Sequence, residues 1–165
     1  MKRIITWILA LVCCLALEFT FVACNGGEQE NKGDIFYMSY NGTKIELDTK
    51  AAGVISALGE ANSVKELGDC GGLGAQVKYT YNDIELYTLK SGDEETVDQI
   101  SFTSDLVSTS KNISLGDSKD KVIEAYGEPT KQSDGDILYT EGDLTLKFKL
   151  EGGKVSAIDY IRVTK

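Results

Sequence analysis

Ile113-Ser114-Leu115-Gly116-Asp117-Ser118-Lys119-Asp120-Lys121-Val122-Ile123-Glu124-Ala125-Tyr126-Gly127-Glu128 repeats, 68 positions on, the pattern of Ile45-Glu46-Leu47-Asp48-Thr49-Lys50-Ala51-Ala52-Gly53-Val54-Ile55-Ser56-Ala57-Leu58-Gly59-Glu60. Seven positions are identical without a gap: Ile, Leu, Val, Ile, Ala, Gly and Glu. A match of that density marks an internal repeat, and a repeat bears on architecture before any single motif does. Each copy opens as a short strand and turns into a short helix. In the second copy Asp117 or Ser118 is placed to cap the first free helix amides, and Asp120 lies at the positive end of the helix dipole. Val122, Ile123 and Tyr126 form one apolar stripe, as Val54, Ile55 and Leu58 do in the first copy. Gly59 and Gly127 stand where a helix ends in a left-handed residue, and Pro129 blocks continuation. Helices this short hold only when packed on something.

Strands supply the packing partner. Leu144, Leu146, Phe148 and Leu150 alternate with Thr145, Lys147 and Lys149, a period of two. Gly152-Gly153 then turns the chain into Val155 to Val163. Around the first copy, Lys78 to Asn82, Ile84 to Leu89 and Val97 to Phe102 read as strands, with an acidic turn at Ser91-Gly92-Asp93-Glu94-Glu95. Ile35 to Tyr40 and Thr43 to Leu47 flank Asn41-Gly42, a strong hairpin signal. The expected fold is therefore α+β: two tandem units, residues 34–105 and 112–165, joined by a Ser/Thr-rich segment at 106–111. Each unit would carry a short helix on one face of an antiparallel sheet, leaving the other face open.

The N-terminus reads as an address rather than as fold. Lys2 and Arg3 precede an apolar run from Ile4 to Leu17, the layout of an export signal over residues 1–23. Phe21-Val22-Ala23-Cys24 resembles the lipobox of bacterial lipoproteins, which implies cleavage before Cys24 and its lipidation. Residues 24–33, polar and glycine-bearing, then read as a flexible tether. Two acyl chains anchor stably where one binds marginally, so the expected location is extracytoplasmic, lipid-anchored to the bacterial cell membrane. The alternative is an uncleaved N-terminal helix, since Ile4 to Ala23 is about long enough to span a bilayer.

Composition narrows the function. The 165 residues contain no histidine, 17 basic and 26 acidic side chains, for a net charge of −9. Without histidine, Ser-His-Asp and Cys-His catalysis and histidine metal sites are excluded. The acidic balance argues against nucleic acid, whose phosphates need a basic surface. Of four cysteines, Cys13 and Cys14 lie in the signal and Cys24 would carry lipid, leaving Cys70 alone. That pattern is no disulfide framework, and Cys70 reads as a small apolar side chain packed under the sheet beside the Gly71-Gly72-Leu73-Gly74 turn, with a reactive thiol as the alternative.

The pattern Ile113-x-Leu115-Gly116-Asp117-Ser118 with Val122, Tyr126, Gly127, Glu128 and Pro129 resembles the opening of the repeat in β-lactamase-inhibitor-like domains. It is similar as well to the SmpA/OmlA outer-membrane lipoproteins. Over residues 35–163 the chain resembles exported lipoproteins of Gram-positive gut bacteria with two such units, through Cys70, Tyr79-Thr80-Tyr81, Ile84-Glu85-Leu86-Tyr87, Gly92-Asp93 and the Ile113 motif. In the first copy Asp48 and Ala61 replace the expected Gly and Pro, so that copy is the more diverged. The resemblance implies the tandem fold and an envelope location, and leaves activity open.

The residues offer three chemistries. Asp134-Gly135-Asp136, Glu141-Gly142-Asp143 and Asp93-Glu94-Glu95 offer oxygen ligands suited to calcium, but none has calcium-loop spacing and acidic hairpin tips are ordinarily solvated, so no metal or cofactor is expected. No nucleophile elbow or phosphate loop is present, and no catalytic residue is assigned. Five tyrosines, Tyr79, Tyr81, Tyr87, Tyr139 and Tyr160, fall on expected strands, and tyrosine is favoured at interfaces. The expectation is a non-catalytic protein-binding or envelope-assembly module with an envelope or extracellular protein partner. By analogy with the family, recognition would use the open sheet face, with Tyr87, Lys147, Lys149, Tyr160 and Arg162 as candidates. A metal- or small-ligand-binding surface sensor is the alternative, and a hydrolase using acidic residues ranks third.

Overall fold

The computed structural model describes residues 35–69 and 72–163. The signal, the tether, Cys24 and Cys70 lie outside the described residues. In chain order the elements are β1 (Tyr37–Tyr40), β2 (Thr43–Glu46), α1 (Ala51–Leu58), β3 (Ser63–Asp69), β4 (Ala75–Thr80), β5 (Ile84–Ser91) and β6 (Glu94–Phe102). There follow α2 (Lys119–Tyr126), β7 (Lys131–Gln132), β8 (Asp136–Glu141), β9 (Leu144–Glu151) and β10 (Lys154–Arg162). β1 and β2 form a hairpin whose turn residues Asn41 and Gly42 both have positive φ (50° and 79°). That is the twist a two-residue connection needs to match its strands.

The remaining strands form one eight-stranded sheet in the order β3-β4-β5-β6-β10-β9-β8-β7, every neighbouring pair antiparallel. This corrects the expected α+β class with two tandem helix-on-sheet units. The described chain is mainly β, with one large sheet, a small hairpin and two helices of eight residues. The physical reason is edge pairing. β6 and β10 each end a meander and would each leave a row of backbone donors and acceptors unpaired. They pair with each other instead, Ser101 opposite Asp159 and Ile100 opposite Tyr160.

The core is likewise single. One buried cluster joins Met38 and Ile45 of the hairpin, Ala51 of α1 and Val122 and Tyr126 of α2 to Leu86, Ile100, Phe148 and Ile158 of the sheet. Each such aliphatic or aromatic side chain contributes roughly 1.5–3 kcal/mol when taken out of water. The segment at 106–111 belongs to this body. Val107 and Thr109 are buried, and Thr109 bridges to Met38 of β1.

The sequence repeat survives in the backbone. Both helices end on a glycine at positive φ, Gly59 and Gly127, whose N–H caps the carbonyl of Ile55 or Ile123. Ahead of the helices, Asp48 N–H donates to Val97 O (2.8 Å) and Val97 N–H to Thr49 O (2.9 Å). The second copy does the same, from Gly116 N–H to Val155 O and from Val155 N–H to Asp117 O, both at 2.8 Å. Each copy thus hooks its pre-helix segment onto the last strand of its meander. The caps differ: Ser118 Oγ accepts from Lys121 N–H, whereas Lys50 at the start of α1 supplies no side-chain cap.

Candidate functional site

Alternation decides which side chains face away from the core. On β5, Ile84, Leu86 and Thr88 are buried while Glu85 and Tyr87 face the other way. β6 and β10 do not alternate cleanly, because each carries a bulge: Asp98 is the extra residue in β6 and Ser156 in β10. A bulge advances the chain by one residue and so flips the parity of everything after it. Val155 before the bulge and Ile158 and Tyr160 after it all reach the core, leaving Asp159 and Ile161 on the open face. The apolar residues of the last strand therefore fall on both parities.

Register then assembles two rows across the open face. Thr80, Glu85, Ser101, Asp159, Lys147 and Leu138 stand opposite one another in strand order, as do Lys78, Tyr87, Gln99, Ile161, Thr145 and Thr140. Their polar groups form a half-buried network. Lys78 Nζ donates to Glu85 Oε1 (2.8 Å) and Tyr87 donates its phenol proton to Glu85 Oε2 (2.6 Å). Gln99 Nε2 donates to Ser101 Oγ (2.9 Å), which donates in turn to Asp159 Oδ1 (2.6 Å). The bonds from Lys78 and then Tyr87 hold the Glu85 carboxyl below its ordinary range, against the opposing effect of burial. Burial, reinforced by Glu85, pushes the Tyr87 phenol up.

Three of the five expected recognition residues share this face. Tyr87 lies on β5 beside Glu85, Lys147 pairs with Asp136 at 3.2 Å, and Lys149 lies 3.6 Å from Glu151 with half of its side chain exposed. Tyr160 does not join them: it is fully buried on the opposite face, packed against Phe102. Arg162 sits at the end of β10, where its guanidinium meets Asp48, Asp98 (3.3 Å) and the Thr96 hydroxyl (3.3 Å). It ties β10 to β6 and to the segment before α1, and only 16% of its side chain is exposed. Sequence reasoning missed Lys78, Glu85, Gln99, Ser101 and Asp159. The available signal was the alternation of β5, which puts Glu85 beside Tyr87; the bulges hid it in β6 and β10.

Within the acidic turns, Glu95 Oε1 accepts from Thr88 Oγ1 (2.6 Å) and Tyr79 Oη (3.0 Å), and Asp136 pairs with Lys147 (3.2 Å). Outside them, Asp48 and Asp98 face Arg162. Among the described residues no three carboxylate or thiol side chains converge as a metal site would need, and no helix is long and apolar enough to cross a membrane. Compared with known proteins, the chain matches no family model, no curated protein and no solved structure.

Proposed function

We propose that this chain is an extracytoplasmic lipoprotein, anchored through Cys24, that serves as a non-catalytic protein-binding or envelope-assembly module through the open face of its sheet. The observation that supports this most is the face itself. Strands β5, β6, β10, β9 and β8 are covered on one side by helices and hairpin, while the other side presents Tyr87 among ordered polar side chains. Preordered side chains lose less entropy on docking, and tyrosine brings large contact area with few rotatable bonds. The lipid anchor and polar tether follow from the lipobox resemblance and would hold this face near the membrane.

The test is crosslinking from intact cells with the full-length chain as bait and an unrelated tethered lipoprotein as control. One specific partner, crosslinked to the open face and lost in a Tyr87→Ala, Lys147→Ala double variant, is the expected result. A partner retained by that variant, or crosslinked to the helix side, would overturn the docking face. Cys24→Ala should release the protein from membranes; continued membrane association would favour an uncleaved N-terminal helix.

A further inference from the structure

The hairpin that closes one side of the core turns on Asn41-Gly42, and both residues are exposed. Before a glycine, which has no Cβ, the following backbone nitrogen meets the least hindrance in reaching an asparagine side-chain carbon. Gly42 has nothing within 4 Å of where a Cβ would stand, and among the described residues its N–H donates to no acceptor. The other three asparagines of the described residues lack this combination. Asn62 Nδ2 donates to Asn82 Oδ1 (2.8 Å), and Asn62, Asn82 and Asn112 precede Ser63, Asp83 and Ile113.

What the turn holds gives the position its weight. A two-residue connection fixes the register, Met38 opposite Ile45 and Tyr40 opposite Thr43. Met38 and Ile45 are fully buried, Met38 bridges to Thr109, and Tyr40 donates to Asp83 Oδ2 (3.1 Å).

We propose that Asn41 is a site of spontaneous deamidation and that its isoaspartyl product loosens the hairpin from the core. Base takes the Gly42 amide proton and the nitrogen attacks Asn41 Cγ. The new C–N bond closes a succinimide, the Cγ–Nδ2 bond breaks, and Nδ2 leaves as ammonia with one added proton. Water then opens the ring. Cleavage between the nitrogen and Cγ leaves aspartate, whereas cleavage between the nitrogen and the backbone carbonyl carbon leaves isoaspartate, whose main chain runs through Cβ and Cγ. The net reaction consumes one water and releases one ammonia, without oxidation or reduction. Isoaspartate thus adds an atom to the main chain of a two-residue connection. The turn must strain or the strands must slip, and a slip of one residue turns Met38 and Ile45 away from the core. Aspartate adds only a charge, at a tip already exposed, so the two products separate the effect of the backbone from that of the charge. The hairpin lies on the covered side of the sheet, and this reading stands whether or not the open face docks a partner.

The test holds the full-length chain, in a neutral detergent, in mildly alkaline buffer. Cleavage after Lys32 and Lys44 isolates Asn41 from the Asn25-Gly26 pair, which lies outside the described residues. Peptide 33–44 is expected to gain the mass of an Asn-to-Asp change and to divide into aspartyl and isoaspartyl forms before any change at Asn62, Asn82 or Asn112. Asn41→Gly, whose Gly-Gly pair suits the same turn, should show no such change in this peptide. The isoaspartyl protein should exchange its β1 and β2 amides roughly tenfold faster than the parent, while Asn41→Asp stays close to the parent. An Asn41 that outlasts Asn62 and Asn82 would overturn the site. Parental exchange in the isoaspartyl protein, or the same loss of protection in Asn41→Asp, would overturn the loosening.

Discussion

Gly74 carries more of the fold than its place in an exposed hairpin suggests. It has φ of +126°, a conformation that residues with a Cβ rarely adopt, and a Cβ there would collide with the carbonyl oxygen of Lys90 on β5. The neighbouring Asp69 carboxylate accepts from the N–H groups of Gly72 (3.0 Å) and Gly74 (3.2 Å), so the turn is fastened from both sides. Gly74→Ala should therefore destabilise the protein by about 1–3 kcal/mol in urea unfolding, where an ordinary exposed glycine in this turn would shift little. Gly42 makes a useful contrast: its φ is positive too, but nothing lies within 4 Å of an added Cβ, so its substitution costs backbone strain alone.

At the scale of elements the two helices are a natural comparison, since both have eight residues and end on the same glycine cap. α2 begins with Ser118 accepting from Lys121 N–H at 3.2 Å, with Lys121 returning to Asp117 at 2.8 Å, whereas α1 begins at Lys50 with no side-chain cap. Replacing Ser118 by Ala should cost about 1 kcal/mol, and Lys50→Ser should stabilise by about 0.5–1 kcal/mol; calorimetric melting of both variants checks the pair. A loss in Lys50→Ser would mean that the Lys50 backbone bridge to Thr96 depends on the lysine. The bulges at Asp98 and Ser156 belong to the same scale. Each lets the start of its strand bury one valine, Val97 or Val155, against the pre-helix segment, and lets the rest of the strand bury the opposite parity. Asp98 then serves a second purpose, since it meets the Arg162 guanidinium.

The molecule as a whole is rich in buried phenols, and this sets its behaviour in base. Burial, followed by a hydrogen bond to Glu95, pushes Tyr79 up to about 12; burial, followed by Tyr126, does the same for Tyr139; and burial drives Tyr160 well above its ordinary value. A phenol raised in the folded state stays protonated where the unfolded chain has lost its proton. Its stabilising effect is complete below pH 10 and is lost as pH rises from about 10 through about 12. Phenolate absorbance should therefore lag behind that of the urea-unfolded chain and rise together with unfolding by circular dichroism. Titration of all tyrosines near pH 10 without unfolding would contradict it. Much of this architecture is legible in the residues. The Asn41-Gly42 turn, the alternation of 144–150 and the offset of 68 between helices depend on neighbours a few positions apart, and they appear where local chemistry places them. β3 is not legible, because every one of its residues is exposed and an edge strand without a buried side needs no alternation. The Tyr87–Glu85 pair was within reach of local reading, whereas the Ser101–Asp159 contact joins residues 58 positions apart. The sequence by itself determined both helices, the first hairpin, several of the sheet strands, the repeat and the acidic surface, since these follow from periodicity, turn residues and charge. Only the tertiary structure decided that the two meanders share one sheet, that Tyr160 is core, and that Asp159 meets Ser101 on the open face. Those outcomes rest on the pairing of β6 with β10 and on two bulges that reverse parity, and neither has a signature in neighbouring residues.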